Sequence, residues 1–106
     1  MDGNDQLSIT EEERGPASVR LAISGRIDAL NSSVLETRLS HELDAGCVDI
    51  VLDMIAVRFL SSLGIRAILK TFKEAKKRGG GLLIADPSDI VKNVIGMTAL
   101  DEMLLK

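Results

Sequence analysis

The stretch between Asp49 and Arg78 constrains this chain more than any other. Asp49-Ile50-Val51-Leu52-Asp53 is a β-branched, apolar run that reads as a strand. A short connection follows. Ser61 and Ser62 then stand directly ahead of a helix predicted over 63–78, with Ile65, Ile68, Leu69 and Phe72 on its apolar face. Arg66, Lys70, Lys73, Glu74 and Lys77 fall on the wet face. A strand feeding a helix of this length predicts a parallel crossover, hence an α/β fold. A hydroxyl at a helix start caps free backbone N–H groups. The same end of a helix favours negative charge, so a phosphate can be carried there without breaking the fold.

The flanking segments extend the pattern. Leu7 to Thr10 alternates as an edge strand, Glu11 to Pro16 reads as a turn, and Val19 to Ile23 reads as the second strand of a hairpin. Gly25-Arg26-Ile27-Asp28 closes it. A helix is predicted over 32–45, with Ser33 and Glu36 as a capping box, Leu35, Leu39 and Leu43 as its buried stripe, and Gly46 at its C-terminal end. Val48 to Met54 is the most buried strand candidate. Gly79-Gly80-Gly81 stops the second helix, and Leu82 to Ala85 is a short buried strand. Asp86 is predicted to cap a third helix with Pro87 at its first position; Val91, Val94 and Ile95 face inward and Gly96 ends it. Thr98 to Leu104 has the spacing of a last short helix. The expected order is ββαβαβα plus that helix: one domain over 1–106, with 1–6 as a tail and a mixed sheet of four or five strands.

Composition narrows the function. The chain has 106 residues, 45% of them apolar and only 2% aromatic, with a net charge of −3. A domain of this size buries roughly two-thirds of its unfolded surface, so the core must be aliphatic. Nucleic-acid readers carry a basic balance and stacking aromatics, and this chain has neither. A lone Cys47 forms no intrachain disulfide, which fits a reducing, cytoplasmic setting. The polar, acidic first residues lack the pattern of a signal peptide, and no apolar run reaches membrane-spanning length.

Gly25-Arg26-Ile27-Asp28-Ala29-Leu30-Asn31 and Leu60-Ser61-Ser62-Leu63-Gly64-Ile65-Arg66, in this order of elements, resemble the STAS domain of bacterial anti-sigma-factor antagonists, from about Leu7 to Leu104. The resemblance implies a small, non-enzymatic cytoplasmic regulator. It binds an ATP-dependent serine kinase that is also an anti-sigma factor, is inactivated when that kinase phosphorylates one serine, and is reset by a serine phosphatase. The family pattern is Asp, acceptor Ser, a small residue, then Gly. Aligned through Gly64, the acceptor falls on Ser62, ahead of Ser61, which occupies the Asp position. Asp28 matches the acidic residue in the loop beside the acceptor. The expected docking surface comprises Asp28, Asn31, Ser61, Ser62, Leu63 and Arg66. The expected state is a monomer or weak dimer with no cofactor, no metal, and neither nucleic acid nor membrane as partner. Ser61 in place of the acidic residue favours an alternative: a STAS scaffold, or a nucleotide-sensing module, that is never phosphorylated.

Other residues read as ordinary. Asp53 resembles a receiver's acceptor aspartate, but no acidic pair follows Ile23 and no lysine follows Ala85, so it is expected to accept backbone N–H groups in a loop. His41 is placed on the wet side of its helix, and Cys47 in the core. Gly79-Gly80-Gly81 follows a helix and precedes a strand, the reverse of a phosphate-binding loop. Lys70, Lys73, Lys76, Lys77 and Arg78 complement the helix dipole, with an acidic partner as the alternative reading. No nucleophile–base or metal constellation is present.

Overall fold

A computed structural model describes residues 6–97. The elements are β1 (Ser8–Arg14), β2 (Ser18–Ile27), α1 (Ser32–Asp44), β3 (Asp49–Leu60), α2 (Ser62–Lys77), β4 (Gly81–Ala85) and α3 (Asp89–Met97). This is the expected ββαβαβα order; the predicted terminal helix over 98–104 lies outside the described residues. The four strands stand in sequence order, β1-β2-β3-β4. β1 and β2 pair antiparallel, while β2–β3 and β3–β4 are parallel.

Alternation along the strands creates one dry face. Val19 and Leu21 of β2 lie in register beside Ile50 and Leu52 of β3, which pair with Leu82 and Ile84 of β4, and Ile23 follows at the register shift. All are buried, together with Leu35, Leu39 and Leu43 of α1, Ile68 and Phe72 of α2, and Val91 and Ile95 of α3. The core is aliphatic apart from Phe72, as the near-absence of aromatics required. Cys47 is buried within it and His41 is exposed.

Several local expectations are corrected. β1 continues through Glu11 to Arg14 instead of turning there, because a register shift between Glu11 and Glu13 lets the acidic run keep pairing with Leu21 to Val19. β3 does not stop at Met54. It runs 12 residues to Leu60, with two register shifts against β2. Its second half conceals the strand period, since only Val57 and Leu60 are buried there. Asp53 therefore sits inside a strand, not a loop; its Oδ1 still accepts from the Ile55 N–H at 3.2 Å. The predicted Ser33–Glu36 capping box is absent. Asn31 is the N-cap of α1, and its side chain is engaged elsewhere. Asp86 adopts φ 48° and does not cap α3; Ser88 Oγ accepts from the Val91 N–H at 3.3 Å. α3 passes through Gly96 to Met97.

Both long helices end as expected on a left-handed glycine, Gly46 and Gly79. The N–H of Cys47 returns to Glu42 O and that of Gly80 to Ala75 O, satisfying carbonyls the helix leaves open. Gly80 has a further reason to lack a side chain, since a Cβ would stand 2.0 Å from Val48 O.

Glu42, on α1, is an unexpected buried charge, 2% exposed. Arg38 (2.9 Å) and Arg14 of β1 (2.9 Å) hold its two oxygens. Burial alone would push this carboxyl up; the hydrogen bonds from Arg38 and Arg14 outweigh it and hold the pKa below the ordinary value. Arg14 also reaches Glu11 and the Cys47 Sγ. The cluster pins the outer strand to α1.

Candidate functional site

The site is built where β2 and β3 end side by side. Ile27 and Leu60 are register partners. The Ser61 N–H donates to Ile27 O at 2.8 Å, so the start of α2 is fixed directly beside the loop that begins at Asp28.

That loop is a closed network. Asp28 Oδ1 accepts from the N–H of Leu30 (2.9 Å) and of Asn31 (3.0 Å). Asn31 Oδ1 accepts in return from the Asp28 N–H at 2.8 Å, and Asn31 Nδ2 donates to Arg26 O at 2.8 Å. Asp28 and Asn31 thereby satisfy one another, which holds the loop in one shape and holds Leu30 outward, 91% exposed.

The two serines have different roles. Ser61 is the N-cap of α2, extended at φ −79° and ψ 166°, and its Oγ accepts from the Gly64 N–H at 3.1 Å. Ser62 is the first helical residue and is exposed. Among the described residues, Ser62 Oγ makes no hydrogen bond. Gly64 allows the close seating: a Cβ there would lie 2.6 Å from Ile27 Cγ2 and 2.9 Å from Leu60 Cδ1. Both of those side chains are buried, so a bulkier residue at 64 would lift the first turn of α2 off β2. Leu63 is 40% exposed, and Arg66 faces solvent one turn further on.

The structure therefore brings Asp28, Asn31, Ser61 and Ser62 to one end of the sheet, with Leu63 and Arg66 following along α2. A phosphate added at Ser62 would leave the capping bond of Ser61 in place.

A family model of the STAS domain matches residues 9–106. The chain belongs to the STAS domain family. The anti-sigma-B factor antagonist of Bacillus subtilis is 27% identical over 86 residues, 81% of this chain and 78% of that protein. Among solved structures, the anti-sigma factor antagonist SpoIIAA in its unphosphorylated form superposes with a TM-score of 0.82 at 18% identity, covering 92% of this chain and 86% of that one. The Bacillus cell fate determinant SpoIIAA in its phosphorylated form gives 0.76 at 16% identity, over 92% and 89%.

Within this STAS domain the sequence pattern did not single out four exposed residues. Leu30 and Val34 flank the Asp28 network, and the Arg26 guanidinium lies 4.3 Å from the ring centroid of exposed Phe59, its partner across the strands. Apolar residues in such positions look like core in a sequence; only Leu30, alone in a polar loop, carried a signal. No group of three or more His, Cys, Asp or Glu residues among the described residues is arranged to hold a metal. No described helix is long and apolar enough to cross a membrane.

Proposed function

We propose that this STAS domain is a cytoplasmic, non-enzymatic anti-sigma-factor antagonist, switched off by phosphorylation of Ser62. The observation that carries the reading is the division of labour at the start of α2: Ser61 holds the helix cap while the neighbouring hydroxyl of Ser62 stands free and exposed. The curated relative named as an anti-sigma-B factor antagonist supports it, as does a structural neighbour of the same fold solved in a phosphorylated form.

The unmodified surface around Asp28, Asn31, Ser61, Ser62, Leu63 and Arg66 docks on an anti-sigma factor that is itself an ATP-dependent serine kinase. Transfer of the γ-phosphoryl group forms a bond between phosphorus and Ser62 Oγ, breaks the bond to the departing ADP, and releases the hydroxyl proton. The product carries a charge of about −1.5 to −2 at the interface. The helix end accommodates that charge, while a partner surface pressed against it must desolvate it. Docking is lost and the fold is kept; a serine phosphatase restores the free hydroxyl. Ser61 in the place of the family's acidic residue favours a second reading, a STAS scaffold that is not phosphorylated.

Incubating the full chain with ATP and the anti-sigma serine kinase of its own genome, then measuring intact mass and mapping the modified peptide, separates the two. The expected result is one phosphate on Ser62 and none on Ser62→Ala. A wild-type chain that gains no mass, or gains it on Ser61, overturns the proposal.

A further inference from the structure

We propose that Arg66 is the latch for a phosphate on Ser62: when Ser62 is phosphorylated, the Arg66 guanidinium turns back along α2 and clasps it. This rests on the reading of Ser62 as the phosphoacceptor.

Ser62 opens α2 and Arg66 lies four residues on. Helical residues at that spacing are surface neighbours, with Cβ atoms about 5–6 Å apart. Each Cα–Cβ bond tilts toward the helix N-terminus, so a long side chain covers the turn before its own. Arg66 thus reaches over Ser62. Both residues are exposed. Arg66 is also uncommitted: among the described residues it forms no ion pair, whereas Lys70 holds Glu36, and Arg78 holds Asp44 and Glu74. A guanidinium presents a planar fork that matches two phosphate oxygens. The anion lies toward the helix N-terminus and the cation one turn inward, the order that agrees with the helix dipole.

The geometry discriminates between the serines. Ser61 is five residues from Arg66, about 140° around a helix of 3.6 residues per turn, and the residue four beyond Ser61 is the apolar Ile65. Position 61 carries no carboxylate to repel the phosphate. The charged groups on the adjoining segment are Asp28, whose Oδ1 is engaged by two backbone amides, and Arg26, which lies on Phe59. The switch then acts twice at the docking surface: it adds an anion and withdraws the cation that unmodified Arg66 presents to a partner.

The test places phosphoserine at 62, or at 61, in the full chain by translational incorporation, and follows the phosphate by 31P NMR titration. The second phosphate pKa at position 62 should be lower in the wild type than in Arg66→Gln by roughly 0.2 to 0.4 unit, with Arg66→Lys between them. At position 61, Arg66→Gln should shift that pKa by clearly less. Asp28 is common to every variant and cancels. Melting curves of the unmodified variants should coincide closely, because Arg66 forms no hydrogen bond or ion pair among the described residues. Equal midpoints for wild type and Arg66→Gln at position 62 overturn the latch. The phosphate is installed without a kinase, so a kinase that ignores Ser62 would defeat the switch reading and leave this measurement intact.

Discussion

Ser61 and Ser62 are chemically identical and structurally opposite. Ser61 Oγ receives the Gly64 N–H and closes the first turn of α2, while Ser62 Oγ faces water. Removing an N-cap hydroxyl costs about 1 kcal/mol, and removing an exposed, unbonded one changes stability by less than ~0.5 kcal/mol. Urea denaturation should therefore find Ser61→Ala destabilised by about 1 kcal/mol and Ser62→Ala close to wild type; the reverse order would contradict the assignment of the cap. The sequence displayed both hydroxyls ahead of an amphipathic run, which was enough to place them at the start of α2. It could not say which one caps. That choice is made by the Ser61 N–H to Ile27 O bond, which fixes where helical backbone begins and joins residues far apart in the chain. Gly64 was legible only as a motif position; its steric reason, contact with Ile27 and Leu60, emerges when β2 and β3 lie together.

Elements were legible where their apolar period was strong and obscure where long-range pairing decided the outcome. The buried stripes of α1 and α2 fall on Leu35, Leu39 and Leu43, and on Ile68 and Phe72, as their spacing predicts, whereas Ile65 and Leu69, expected on the same face of α2, are only partly buried against the core. The second half of β3 has no clean alternation, and β1 continues through three consecutive glutamates; in both, the ladder with β2 supplies the strand. Caps misled for a related reason. Asn31 is drawn away from α1 to close the Asp28 loop, so Ser33 and Glu36 lie inside the helix instead of framing it. Glu42 is the element-scale feature with the clearest pH signature, because it joins α1 to β1 through Arg14. Its pKa is depressed in the fold. Its contribution is therefore complete above the unfolded value of about 4.5 and is lost as pH falls through the lower folded value. Glu42→Gln should cost about 1–3 kcal/mol at neutral pH. In denaturation series the difference from wild type should narrow as pH drops from about 5 to 3. A difference constant across that range would show that the ion pairs carry none of it.

At the scale of the whole molecule, the sheet positions one end. β2 and β3 deliver Ile27 and Leu60 side by side; the Asp28–Asn31 network and the capped start of α2 follow directly, and neither uses the Ser62 hydroxyl. On the proposed reading, the switch works through the surface this end presents and does not refold it: exposed Leu30, Val34 and Leu63 would provide apolar contact, and a phosphate on Ser62 would make that contact costly to close. The central claim is tested most directly by isothermal titration of the anti-sigma serine kinase with two forms of the full chain, one unmodified and one carrying phosphoserine at 62. The unmodified chain should bind and the phosphorylated chain should bind at least about tenfold more weakly, since a desolvated or opposed charge at an interface costs over 1 kcal/mol, with superimposable circular dichroism spectra for the two. Equal affinity of the two forms would contradict the account.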